Sequence, residues 1–222
     1  GNLFHEFDEF SLTEDQTANF LGDSSVFNIV GQVSEVSPSY IDGTVQITGS
    51  EANLYLINPS GVLFGPNAQL SLQGSFTATT ADHITFEDGI LNVLAQSQDY
   101  TELTGAPTAL TFSSESAGAV VNHGELSVTA GESLSLVGGS VVNTGRLEAP
   151  AGEIGLVAVG GNSTVKLATP GSLLSMEVEA ETTALEPGLN HESAFAATDL
   201  PELLTGAAVE SEAQSLIVNA DG

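Results

Sequence analysis

Two adjacent segments of the chain carry nearly one pattern, and that repetition limits the folds open to it more than any other feature. Val120-Val121-Asn122-His123-Gly124-Glu125-Leu126 reappears as Val141-Val142-Asn143-Thr144-Gly145-Arg146-Leu147, an offset of 141 − 120 = 21 residues. The match runs on through Ala130-Gly131-Glu132 and Ala151-Gly152-Glu153. The offset then slips by one to 20, so that Leu134 and Leu136 correspond to Ile154 and Leu156, and Gly138-Gly139 recurs as Gly160-Gly161 at an offset of 22. A unit of this length that cannot bury its apolar face alone must stack on its neighbours.

Short β-type runs recur at 26–30, 44–47, 53–57, 70–72, 83–86, 126–128, 133–137 and 153–159, each closed within a few residues by Gly, Asn, Pro, Ser or Asp. Such punctuation describes an all-β chain with tight turns and leaves a sandwich, a barrel or a β-helix open. The repeat selects a right-handed parallel β-helix, a single-stranded solenoid of the pectate-lyase kind, with an N-terminal cap and extrahelical β elements. Leu126, Val128, Leu134, Leu136, Leu147, Ile154 and Leu156 are expected to point inward. Asn122 and Asn143 fall at one place in successive coils, where stacked amides can form a ladder; two unrelated turn asparagines are the alternative. About eight or nine coils would make a rod on the order of 40 Å long. The expected organisation is one domain over 1–222, with a cap at 1–25, coils at 26–176, and at 177–222 an excursion that includes a short helix near Pro201 and a returning strand at 215–219.

Charge excludes several partners. The chain has 2 basic and 29 acidic side chains, a net charge of −27. Nucleic acid and anionic membrane surfaces both demand clustered Lys and Arg, so neither is an expected partner, and no apolar run is long enough for stable membrane insertion as a helix. Cysteine is absent, which removes disulfides and thiolate metal sites. A monomer is expected.

Catalysis and metal binding find little purchase. Glu6, Asp8 and Glu9, and Glu177, Glu179 and Glu181, are the clustered carboxylates that could act as acid and base or hold calcium. Alternating acids on a strand also describe a solvated face. An enzyme acting on acidic polysaccharide would need cations to hold substrate and carbanion, and Arg146 and Lys166 are the only ones; ordinary pairing with an acid on a neighbouring coil is expected for both. His5, His83, His123 and His191 lack metal-site spacing. The reading is no enzyme, no metal and no cofactor.

Three blocks carry a family resemblance: residues 2–10 (Asn2-Leu3-Phe4-His5-Glu6-Phe7-Asp8-Glu9-Phe10), residues 41–44 leading into 52–68 (Ala52 through Asn58-Pro59-Ser60-Gly61-Val62 to Ala68), and residues 74–82. Together they resemble the haemagglutination activity domain of two-partner secretion exoproteins, the filamentous haemagglutinin type. The resemblance continues through 134–139 and 147–150. It implies a parallel β-helix at the amino end of a large exported protein. Its partner would be an outer-membrane barrel transporter that reads the domain in the periplasm through POTRA repeats, and the folded product would be secreted or held at the surface of a bacterium with an outer membrane. A host or cell-surface ligand would be met by the downstream chain.

The family's Asn-Pro-Asn-Gly-Ile motif matches Asn58-Pro59-Ser60-Gly61-Val62, with Ser60 and Val62 as departures, which makes these five residues the candidate secretion motif. On their own physics they form a tight turn: Pro59 presets φ, Gly61 is permissive, and the Asn58 side chain can bond the turn backbone. A stable turn and a recognition signal both remain open. Phe4, Phe7 and Phe10 are spaced like one helical face, yet the resemblance places them in the amino cap; closure of the first coil and docking to the transporter are the two readings. An adhesive rod that grips glycan or protein, and a polysaccharide-active enzyme, stand as the alternative functions.

Overall fold

The computed structural model describes residues 1–95, 97–114 and 116–167, with the backbone of 176–180. All belong to one unit, Gly1–Glu181. The helix near Pro201, the strand at 215–219 and the rest of the excursion expected after residue 180 lie outside the described residues.

The chain begins with β1 (Asn2–Phe7) and β2 (Thr17–Leu21), then winds through β3 (Asn28–Val33), β4 (Ser39–Ile41) and β5 (Thr44–Thr48). The third rung comprises β6 (Asn53–Ile57), β7 (Val62–Phe64) and β8 (Gln69–Ser71), and β9 (Phe76–Thr79) opens a fourth. There the chain leaves the coil for β10 (His83–Asp88), β11 (Ile90–Asn92) and β12 (Thr104–Phe112). It comes back as β13 (Ala119–Asn122), β14 (Glu125–Ser127), β15 (Leu134–Gly138), β16 (Ser140–Asn143), β17 (Arg146–Glu148) and β18 (Ile154–Ala158), and leaves again as β19 (Ser163–Leu167) and β20 (Met176–Ala180). A single 3-10 turn, Tyr100–Glu102, precedes β12.

Parallel pairing stacks these strands into three sheets: β1-β3-β6-β9-β15-β18, β16-β13-β7-β4 and β17-β14-β8-β5-β2. The fold is a parallel β-helix. A fourth sheet, β11-β10-β12-β19-β20, is antiparallel and extrahelical. The span 26–176, read from the sequence as coils, is therefore interrupted between β9 and β13, and the run at 83–86 is part of this fourth sheet. Because so much chain leaves the helix, the longest sheet has six strands, and six rungs span about 24 Å where eight or nine coils and 40 Å were expected.

Register explains the core. In the first sheet Leu3, Ile29, Leu54, Phe76, Leu134 and Ile154 stand in one column, and the alternation of a strand sends their neighbours outward. Inward residues make one apolar cluster containing Ile29, Leu54, Leu56, Phe64, Phe76, Leu126 and Leu134. The outward ones, Val30, Ile57 and Val137, join Ile84, Phe86, Leu110 and Phe112 of the antiparallel sheet in a second. The excursion thus covers the outer face of the first sheet.

Two expected inward residues are open to solvent: Ile154 and Leu156 are 43% and 48% exposed. They belong to β18, the last strand of its sheet, and no further described rung stacks over them. Leu126, Val128, Leu134 and Leu136 are buried, with Leu147 packed against them. Arg146 differs as well, since its ion-pair partner is Glu148 on its own strand although Glu125 stands beside it across the rung. At an exposed site such a choice of partner is worth little.

Phe76 is fully buried and packs edge-on against Phe64, with ring centroids 6.0 Å apart. Phe76→Ala should therefore lower unfolding stability by about 3–5 kcal/mol, and Ile154→Ala by less than about 1.5 kcal/mol. Denaturant titration of the two variants against the parent chain measures both.

Candidate functional site

The Asn58–Gly61 turn joins β6 to β7, and it is anchored from three directions. Within the turn, the Ser60 N–H donates to Asn58 Oδ1 at 2.9 Å and the Gly61 N–H to the Asn58 carbonyl at 3.0 Å. Toward the preceding coil, Asn58 Nδ2 donates to the Ser37 carbonyl at 2.9 Å and to Ser39 Oγ at 3.0 Å. Toward the following coil, the Asn58 N–H donates to the Thr79 carbonyl at 3.0 Å. Asn58 is fully buried, with both ends of its amide in use. Burying an amide without partners is costly, so no apolar or shorter side chain can replace it without orphaning groups on two coils.

Gly61 and Gly118 complete the corner. Gly61 has φ +129°, a backbone region that L side chains rarely adopt. Gly118, where the chain comes back from the excursion, gives its N–H to the Pro59 carbonyl at 3.2 Å. A Cβ at Gly118 would lie 2.6 Å from the Pro59 carbonyl oxygen and 2.7 Å from Gly61 N. The returning chain therefore packs main chain to main chain on the turn. Val62, the fifth residue of the motif, is buried in the core cluster. Of the motif, only Pro59 and Ser60 are partly accessible.

The three phenylalanines do not share a face. Residues 2–7 are a strand, so Phe4 and Phe7 point to opposite sides. Phe7, Phe10 and Phe20 form a ring cluster at the first rung, with centroids 5.0 to 6.2 Å apart. His5 packs on Phe7 and Phe20; its Nε2 has no partner, and burial pushes its pKa down. Phe4 instead meets Phe86 and Tyr100 of the excursion.

Asn122 Nδ2 donates to Asn143 Oδ1 at 2.8 Å across paired rungs. Its Oδ1 accepts from the Gly124 N–H at 3.0 Å, so this fully buried amide has partners at both ends. A longer ladder escaped the sequence reading: Asn53 Nδ2 donates to Asn28 Oδ1 at 3.1 Å and Asn28 Nδ2 to Asn2 Oδ1 at 2.9 Å. Asn2 Nδ2 then reaches the carbonyls of Leu103 and Gly105 at 3.0 and 2.8 Å, tying the excursion to the first rung. The signal was present in Asn2-Leu3, Asn28-Ile29 and Asn53-Leu54, spaced 28 − 2 = 26 and 53 − 28 = 25 residues apart.

Asp82, at the exit of the excursion, was not singled out by the sequence either. It accepts from the Ser113 N–H and Oγ, the latter at 2.5 Å, and from the Ser114 N–H at 3.2 Å, and it lies 2.7 Å from His83 Nδ1. Burial alone would raise its pKa; the bonds from Ser113 and His83 outweigh that and hold the carboxyl below its usual value. Ser113 and His83 both address Asp82, so the hydroxyl is not coupled to the imidazole as nucleophilic catalysis requires. The carboxylate acts as a pin between the start and end of the excursion. Of the clustered acids near the start, Glu6 accepts from Tyr100 Oη at 3.1 Å, while Asp8 and Glu9 are exposed. The residues described include no helix long and apolar enough to cross a membrane.

The TPS secretion domain family matches residues 1–209. Among solved structures, the HMW1 secretion domain from Haemophilus influenzae superposes with a TM-score of 0.59 at 21% identity, covering 80% of this chain and 42% of that one. The chain thus spans less than half the length of that relative, and the likeness at this identity is one of fold. No curated protein matches.

Two outcomes are expected from this geometry. Asn58→Ala orphans buried groups in the turn and on the preceding coil and should lower stability by about 2–4 kcal/mol, read as the shift in denaturation midpoint. For Asp82 the unfolded carboxyl, near its usual value of 3.8, takes up a proton before the folded one does. Its contribution is present above that value and is lost as pH falls through the lower folded pKa. Asp82→Asn should therefore show a shallower loss of stability than the parent chain as pH is lowered below 3.8, measured by denaturation at stepped pH.

Proposed function

The chain belongs to the TPS secretion domain family, and from that premise we propose that it is the secretion-targeting domain of a larger two-partner secretion exoprotein. Its partner is a cognate outer-membrane barrel transporter, whose POTRA repeats read the chain in the periplasm. Residues 1–222 act together as that targeting domain, and the product folds into its β-helix at the cell surface, secreted or held there.

The observation that supports this reading most directly is the burial of Asn58. In the folded rod its amide is enclosed and fully bonded. A transporter that recognises Asn58-Pro59-Ser60-Gly61-Val62 as a sequence must therefore do so while the chain is extended, when such a segment can add to a sheet edge of the receptor. Folding then removes the motif from the receptor, and a folded rung cannot slip back through a pore that passes extended chain. Parallel pairing between residues distant in sequence is slow to form, which keeps the chain readable before it locks. In this reading Phe7 and Phe10 close the first coil, and Asn122 and Asn143 register two later ones.

Export tests it. The chain is placed behind a signal peptide and expressed with and without the transporter encoded beside it, and the medium is assayed. Release should require the transporter and should fall several-fold for Asn58→Ala while Ile154→Ala exports normally. Release without the transporter, or retention in its presence, overturns the proposal and leaves an adhesive rod as the reading to pursue.

A further inference from the structure

The first sheet ends in an open strand. β1 pairs in parallel with β3 on one side, and among the described residues no strand pairs with its other side. The carbonyls of Gly1 and Phe7 accept from the amides of Phe27 and Ser34. Main-chain direction alternates along a strand, so Leu3 and His5 also face β3, and the N–H and C=O groups of Asn2, Phe4 and Glu6 face away. A row of unpaired groups of this kind is a template for another strand unless it is bulged, broken by Pro or guarded by charge. β1 has neither bulge nor Pro.

Beside that edge runs a groove of about 450 Å³, with Leu3 and Phe4 on one wall and Tyr100 and Leu103 on the other. Acids stand close by: Glu6 accepts from Tyr100 Oη, Asp8 and Glu9 follow β1 in sequence, Asp99 and Glu102 flank Tyr100, and all five are exposed. Two copies of this chain pairing edge to edge would set these acids against each other on molecules that each carry −27. The same acids favour a cationic strand.

We infer that the free edge of β1 is a docking site for an extended segment of a partner protein that alternates apolar and basic side chains. Its main chain pairs with Asn2, Phe4 and Glu6. Its apolar side chains continue the inward column over Leu3 and beside Phe7. Its basic side chains fall on the outer side, where the Phe4 and Tyr100 rings, 5.0 Å apart, and the Glu6 carboxylate receive cations. This concerns the folded rod and does not depend on the transporter reading, which concerns the extended chain.

The test uses the 222-residue chain with a short synthetic peptide of alternating Lys and Val. Controls are its Glu/Val counterpart and a version with alternate amides N-methylated, which keeps the charge and cannot pair. Hydrogen exchange should show the Phe4 and Glu6 amides exchanging freely alone and slowed about tenfold or more by the Lys/Val peptide. Affinity should drop about tenfold for the N-methylated peptide and for the Asp8→Asn, Glu9→Gln double variant, with no binding of the Glu/Val peptide. Binding that leaves those two amides unprotected, equal affinity for the N-methylated peptide, or no binding at all overturns the inference. So does a concentration-dependent dimer that protects the same amides, which would make the occupant a second copy.

Discussion

Each described rung after the first is held by main-chain bonds to the rung before it, in a register that sets residue over counterpart. Because the pairing is parallel and unslipped, side-chain columns run along the axis, and a column is only as stable as its least compatible member. Leu3, Ile29, Leu54, Phe76 and Leu134 satisfy this with apolar bulk. Where a polar residue enters a buried column it needs a partner, and the column itself can supply it, as Asn143 does for Asn122. Asn2, Asn28 and Asn53 apply the same solution at the start of the first sheet.

The register is hardest to keep where the chain leaves the stack. Between β9 and β13 the main chain departs for the antiparallel sheet and must return in phase with β7. Asp82 gathers Ser113 and Ser114 at the mouth of the excursion, and Thr80 Oγ1 donates to the Gly118 carbonyl at 2.9 Å. Gly118 then settles on the Pro59 carbonyl. Asn58 thus does more than shape its own turn: the turn is the seat on which the returning strand finds its level. In the function proposed above the same side chain serves twice, once as accessible sequence and once as buried corner, and the two states exclude each other.

The repeat at 120–147 was enough to identify the solenoid, because stacking demands self-similarity and little else produces it. The motif at 58–62 was legible as a turn from Pro59 and Gly61. Its outside partners were not, since Ser37, Ser39 and Gly118 are related to it only through the coil pitch. The long Asn ladder was missed because its spacing of 25 and 26 residues differs from the 21 of the clearer repeat, the coils being unequal in length. Ile154 and Leu156 obey the inward pattern of Leu134 and Leu136; no local signal tells that the next rung is absent from the described stack. Phe4 was grouped with Phe7 and Phe10 by helical spacing, and a strand separates what a helix would have joined.

The two ends of the described stack are chemically unlike, and this gives the rod a polarity. At the first rung Phe7, Phe10 and Phe20 close over the core, and the Asn2 amide ties that rung to the excursion. At the last rung Ile154 and Leu156 are open. In a quasi-one-dimensional fold each rung gains its stability from its neighbours, so an end rung needs partners other than the next coil. The first rung has them, in an aromatic cluster and an asparagine ladder whose first amide reaches the carbonyls of Leu103 and Gly105. Ile154 and Leu156 of the last described rung have no such cover, whereas the Asn58 corner, in the third rung, lies inside the stack with a coil on either side.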